Sequence, residues 1–368
     1  MTQCPACGEQ VPEGTFCVRC GTRLAEGGAA KRGFSAAPNE GLRRPSVISS
    51  LFPQLPRASM ATFRAALLMG LGVVLVLALL RLYPLAVVTS AVLVPLLTAL
   101  YVYDVDVYED EPIRVIAFTM LWGAATGILV GILARVLSPS IDALAGVTGS
   151  ILWVRGILVP ALAVVAMLVG PLVLLPYRKF NDVLDGATFG ACCAVSFAGA
   201  LLLTQAFDFF GGGFRPQGAI TPWLVRLLEL AVEVPVLYAA LIGATAGAFW
   251  LRYRAPARDR TALGPLGVPA VAVVVAAALV VVTAIGQLYL ANWAALVVYG
   301  IVAIGALIWL RQVIHIGLLQ EASEIPIGPE IVCANCGATT ARHSFCSNCG
   351  ISLLALPKRM EAAQGEGA

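Results

Sequence analysis

The chain has 368 residues, 59% of them hydrophobic and only 12% charged, with a formal net charge of +3. That charged share is about half the usual one for a water-soluble domain, too little to cover a solvated surface. The composition therefore predicts an all-α polytopic membrane protein in contact with a lipid bilayer. So slight a positive charge excludes an electrostatic case for nucleic acid, and no such partner is expected.

In chain order, the first feature is a cysteine quartet, Cys4, Cys7, Cys17 and Cys20, in the spacing C-x2-C-x9-C-x2-C. A second quartet in the same spacing, Cys333, Cys336, Cys346 and Cys349, lies near the other end. Two residues between cysteines let one tight turn present two sulfurs to a tetrahedral ion. Gly8, Gly21, Gly337 and Gly350 follow the second and fourth cysteines, where a left-handed backbone would turn amides toward sulfur. Nine residues between the knuckles suffice for a short hairpin and not for a helix. Both stretches, CPACGEQVPEGTFCVRCG and CANCGATTARHSFCSNCG, resemble the zinc ribbon family. The resemblance implies one structural Zn²⁺ per quartet, and four thiolates leave no open position for a reacting water. His343 is read as an exposed hairpin residue and not as a ligand. The ribbons could stand apart or fold together as one double ribbon. Zinc-binding thiolates belong in a reducing compartment, so both termini are expected in the cytoplasm.

Residues 1–24 are thus one ribbon and 25–59, rich in Gly, Ala, Pro, Ser and Arg, a flexible linker. A cysteine quartet and a polar linker occupy the region where a cleavable signal would sit, so none is expected. Residues 60–312 form the membrane block. Eight apolar runs are long enough to cross a bilayer, near 62–82, 84–103, 113–135, 151–176, 187–207, 222–250, 266–288 and 291–311. Pro160, Pro171 and Pro235 interrupt the long fourth and sixth runs and predict tilts or breaks there. Residues 313–330 are read as a linker, 331–355 as the second ribbon and 356–368 as a disordered tail.

An even number of spans puts both ends on one side. The loops on that side carry Arg43, Arg44, Arg57, Arg64, Arg178, Lys179, Arg252, Arg254, Arg258, Arg260 and Arg311. Only Arg81, Arg135, Arg155 and Arg215 fall on the other, which is the positive-inside pattern. The alanine- and arginine-rich composition fits a bacterial chain, and hence the plasma membrane.

Within the membrane block, Cys192 and Cys193 are read as small buried residues. Gly123, Gly127 and Gly131, Gly186 and Gly190, and Gly243 and Gly247 would let helices approach closely. The acidic run Asp104, Asp106, Glu109, Asp110 and Glu111 is read as a solvated loop, with a cation site as the alternative. Arg226, Glu229 and Glu233 stand at i, i+3 and i+7, on one helical face. Two readings are open for them: an Arg226–Glu229 ion pair near the outer interface with Glu233 facing the bundle, or a polar site for a proton, an ion or a metal.

Three segments resemble PrsW-type intramembrane proteases: DVDVYEDEPIRVIAFTMLWGAATG, PLVLLPYRKFNDVLDGATFGACCAVSFAGALL and VEVPVLYAALIGATAGAFWLR. The stretch Asp185, Gly186, Gly190, Phe197 and Ala198 carries the resemblance most sharply. It implies a helical bundle and, in the family, peptidase chemistry. The reacting groups are replaced, however. The family's E-E-x2-K motif falls near Pro160, where this chain has Ala163, Val164 and Met167. The family's F-x3-E-N becomes Phe197 followed by Leu201 and Leu202, and the family histidine falls near Pro235, with Gly243 as the anchor. The only histidines are His315 and His343, in neither motif. The sequence thus points to a non-catalytic scaffold, sensor or regulatory binding protein whose ribbons recruit soluble partners. The alternatives are an intramembrane endopeptidase with an atypical site at Glu229 and Glu233, and a transporter or lipid-handling protein.

Overall fold

A computed structural model describes residues 1–24, 40, 46–53, 57–104, 113–138, 147–207, 220–254, 263–324 and 326–353. The acidic run beyond Asp104, the loop arginines Arg43, Arg44, Arg215, Arg258 and Arg260, most of the 25–59 segment and the 356–368 tail lie outside the described residues.

The first ribbon carries β1 (Thr2–Gln3) and β2 (Gln10–Val11), paired antiparallel with Thr2 opposite Val11. A short helix α1 (Val47–Leu51) precedes eight long apolar helices. These are α2 (Arg57–Leu79), α3 (Tyr83–Asp104), α4 (Ile113–Leu137), α5 (Gly149–Leu174), α6 (Val183–Gln205), α7 (Ile220 through Tyr253), α8 (Pro269–Tyr289) and α9 (Asn292–Glu324). The second ribbon closes the chain with β3 (Glu330–Val332) and β4 (Thr339–Ala341), antiparallel with Ile331 opposite Thr340. All eight long helices are apolar enough to cross a bilayer, and each coincides to within about five residues with an expected run, except that the last runs on well past residue 311.

The centre of the bundle is α6 and α7, with 83% and 78% of their most apolar windows buried, against 17% for α2. Outward-facing side chains such as Leu68, Leu96, Leu121 and Leu129 remain exposed and apolar, as a lipid-facing surface must be. Small residues set the spacing of the core. A Cβ at Gly123 on α4 would drive into the Cys193 carbonyl of α6. On the other flank of α6, a Cβ at Gly190 would lie 2.7 Å from the Ile242 carbonyl oxygen of α7. Without a hydrophobic drive between helices in lipid, this close backbone approach is a main source of cohesion. Cys192 and Cys193 are buried, as expected, and the Cys193 thiol donates to the Met167 carbonyl at 3.2 Å.

The fourth and sixth spans are broken in one way. Leu152–Leu158 in α5 and Glu229–Glu233 in α7 are π-helical turns. In each, the N–H just before the proline reaches five residues back, Val159 to the Val154 carbonyl and Val234 to the Glu229 carbonyl. Pro160 and Pro235 follow directly. Proline has no N–H to donate and its ring collides with the carbonyl four residues back. A widened turn absorbs one extra residue and moves that carbonyl aside.

Two stretches read as linkers are partly ordered. Helix α9 continues to Glu324, because Val313 and Ile314 stay buried and Gly317 passes over Leu184 of α6. In the 25–59 segment, α1 packs on α7 and α9, and Phe52 stacks with Phe63 and Tyr101 at 5.5 and 5.1 Å. The Tyr101 hydroxyl donates to the Pro53 carbonyl at 2.7 Å and fixes the segment to α3.

Candidate metal centres and a buried polar cluster

Each cysteine quartet is assembled by two knuckles facing each other across the nine-residue span. Within each, all four Sγ atoms lie within 4.8 Å of one another. Measured edges are 3.6 Å for Cys4–Cys20, 3.9 Å for Cys7–Cys17, 3.9 Å for Cys333–Cys349 and 3.8 Å for Cys336–Cys346. A tetrahedral zinc with Zn–S of ~2.3 Å has S···S edges of about 3.8 Å, so the donors fit the ion without rearrangement. Gly8, Gly21, Gly337 and Gly350 all have positive φ, from 68° to 76°. Their N–H groups donate to the carbonyl of the first cysteine of their own knuckle, at 2.7 to 2.9 Å. In the second ribbon Asn335 Nδ2 reaches Cys349 Sγ and the Asn348 N–H reaches Cys346 Sγ, both at 3.4 Å.

The four sulfurs of each quartet hold their protons unequally. Hydrogen bonds from the Cys333 and Cys349 thiols bring Cys346 down to about 3. Those from Cys17 and Cys20 hold Cys4 far below the ordinary thiol range. The donors keep their protons more tightly in exchange: Cys20 and Cys4 push Cys17 up, and Cys346 and Cys349 push Cys333 up. A bound dication would displace the retained protons.

The ribbons pack together as one unit. Phe16 N–H donates to the Ser347 carbonyl and Phe345 N–H to the Val18 carbonyl, both at 2.8 Å. These residues flank Cys17 and Cys346, so each quartet's third cysteine sits in the centre of a shared two-bond exchange. The contacts around it are also reciprocal: a Cβ at Gly21 would meet the Phe345 ring and one at Gly350 the Phe16 ring. His343 corrects the sequence reading. It is 4% exposed, with Nδ1 at 3.0 Å from the Val18 carbonyl, because the first ribbon closes over it. The double ribbon rests on the bundle through Leu319 of α9, which packs against the first quartet, and through Phe345, which joins the main core.

In the membrane block, the structure brings together two of the three polar residues singled out on the sixth span. Arg226 Nη1 lies 2.9 Å from Glu229 Oε2, and Glu229 is 1% exposed. The amide of Gln287, on α8, donates to the other Glu229 oxygen. Sequence pattern missed Gln287, although a lone amide in an otherwise apolar span was a signal. Glu233 is turned toward α9 instead, where a Cβ at Gly300 would lie 3.5 Å from Oε1. Its Oε2 is buried with no hydrogen-bond partner among the described residues.

Arg311 is another correction. It is not in a loop but on α9, fully buried. The 25–59 segment surrounds it: Nη1 donates to Ser49 Oγ at 2.9 Å and Ser50 Oγ at 3.0 Å, and Nη2 to Glu40 Oε2 at 3.0 Å. An arginine in a membrane span needs an acid, and Glu40 was the unread half of that pair.

The residues behind the family resemblance have structural partners. Asp182 caps α6 and Asp185 answers it, accepting the Asp182 N–H at 3.1 Å in a capping box. The Phe197 ring is buried 6.3 Å from that of Tyr238. Ala163, Val164 and Met167 are buried in the main apolar core, and so is Leu201, while Leu202 lies in an adjoining cluster. No family model, curated protein or solved structure matches the chain.

Proposed function

We propose that the protein is a non-catalytic multi-pass membrane protein on a PrsW-like scaffold, whose zinc-loaded double ribbon recruits a soluble partner at the membrane surface. Zinc is the metal that four thiolates in these short knuckles favour, one ion per quartet, in a structural role. Both termini face the cytoplasm of a bacterial plasma membrane, supported by thiolate chemistry and by the lysine and arginine bias of the loops. The carrying observation is the packing at Ala163, Val164 and Met167. Where the resemblance would put acids and a lysine, these side chains lie 0 to 2% exposed among apolar neighbours. Peptide hydrolysis there would need a base or a metal-activated water.

The test is incubation of the purified protein, in liposomes, with single-span membrane substrates, alongside a zinc assay. This reading expects no cleavage and metal only in the ribbons. Cleavage abolished by Glu233→Gln would replace it with the second reading, an intramembrane endopeptidase with an atypical site. One observation favours that alternative: the Glu233 Oε2, without a partner among the described residues, on a π turn of the kind often found at functional sites.

A further inference from the structure

Helices α3 and α4 both pack closely on α6, but they barely touch each other. Between them lies a groove of about 690 Å³, floored by α6. Gly199 belongs to that floor, and a Cβ there would strike the Ala91 carbonyl of α3. Pro95 forms one wall and Ile128 the other, and Leu203 lies beneath. The volume is that of a ligand pocket, ~300–1,000 Å³. Apart from Ser196 on the floor, its lining is apolar except at one end, where Arg135 and Thr204 stand. Arg135 Nη1 donates to the Thr204 carbonyl at 3.3 Å, and its guanidinium lies 5.8 Å from the centre of the Phe207 ring.

Position and length identify the occupant. The groove lies in the half of the bundle remote from the cysteine quartets, and Arg135 is in the last turn of α4. From Ala124 to Arg135 the helix rises about 17 Å. One leaflet's hydrocarbon is about 15 Å deep. A spanning helix, ~10 Å wide and ~30 Å long, would occupy about 2,400 Å³, several times the space available. An extended acyl chain fits that shape, and a guanidinium at headgroup height is the complement of a phosphate. We propose that this groove seats an acyl chain of a phospholipid from the leaflet opposite the cysteine quartets, with the lipid phosphate on Arg135.

The test is lipid binding to the full chain by native mass spectrometry from detergent. The probes are dioleoyl-phosphatidylglycerol and dioleoylglycerol, which carry the same chains with and without the phosphate. The expected result is one saturable phosphatidylglycerol adduct, held about tenfold more tightly than the diacylglycerol. Arg135→Gln should erase that preference and keep weak chain binding. Ala124→Phe, which fills the groove, should abolish both adducts, and Ile128→Trp on the lipid-facing wall provides the same block with less disturbance of the core. Melting temperature and metal content would confirm the fold of each variant. Equal binding of the two lipids, or undiminished binding in folded Ala124→Phe or Ile128→Trp, would overturn the proposal. So would saturable docking of a single-span apolar peptide with no lipid adduct, which would make the groove a helix site.

Discussion

The double ribbon and the helical bundle hold themselves together by opposite means. Each ribbon has one short strand pair and one isolated bridge, and its buried core is mostly cysteine. On the function proposed above it depends on an ion, because so small a unit cannot bury enough apolar surface to fold alone. The bundle depends on backbone contact. Its glycines and alanines bring α4, α6 and α7 close, and its polar groups are few and mostly matched. The contrast teaches where chemistry can be read from sequence. In the ribbons a spacing of cysteines is the site; in the bundle a residue's role follows from which helix comes to lie beside it.

The largest way to break this contrast is at the sulfurs. Cys4→Ser with Cys7→Ser should remove one bound metal, measured as metal per chain. A structural zinc contributes ~10–16 kcal/mol to folding of a small domain, so the first ribbon should become protease-sensitive. The Phe16–Ser347 and Phe345–Val18 exchange should then leave the second ribbon to lose its metal faster than in the unaltered protein. Membrane insertion of the bundle should persist.

The matching change in the bundle is Gly123→Leu. It forces a side chain into the Cys193 carbonyl and should cost about 3 kcal/mol or more, read as loss of a folded species in detergent. Next is Glu40→Gln, which leaves the buried Arg311 without its carboxylate. Glu40 is itself 34% exposed, so solvent screening limits the loss to about 2 kcal/mol. Arg311→Met in the same chain should recover most of it, measured as a double-mutant cycle on thermal unfolding.

A pH titration sharpens the contrast differently. Protons compete with metal for thiolates, so occupancy should be full at about pH 7.5 and fall toward about pH 4.5, where the unfolding of the bundle changes little. The smallest expected effect is Glu233→Leu. Removing a half-buried carboxylate whose Oε2 has no partner among the described residues should leave stability within about 1 kcal/mol or raise it, since it removes a desolvation cost. Loss of the protein's cellular phenotype at normal membrane levels would instead mark Glu233 as functional.

How much was legible differs by region for physical reasons. Cysteine spacing, the following glycines and the length of each apolar run are local properties. The quartets, the positive-φ turns and the eight spans therefore emerged where the sequence placed them. The proline breaks were also local, although the π-helical form of the turns depends on how the freed carbonyls are accommodated. Long-range contacts were not legible. Nothing near Arg311 in the sequence indicates that Glu40, Ser49 and Ser50 will enclose it. Nothing near His343 indicates that the other ribbon, over 300 residues away, will bury it. Arg226 and Glu229 are neighbours by helical spacing, but Gln287 joins them from another helix.

Metal content of the full chain with all eight quartet cysteines changed to serine is the most direct measurement. The unaltered protein should carry two zinc ions and the serine variant none, with its helices still inserted in the membrane. A metal ion retained tightly among the helices of that variant would contradict a bundle without a catalytic centre.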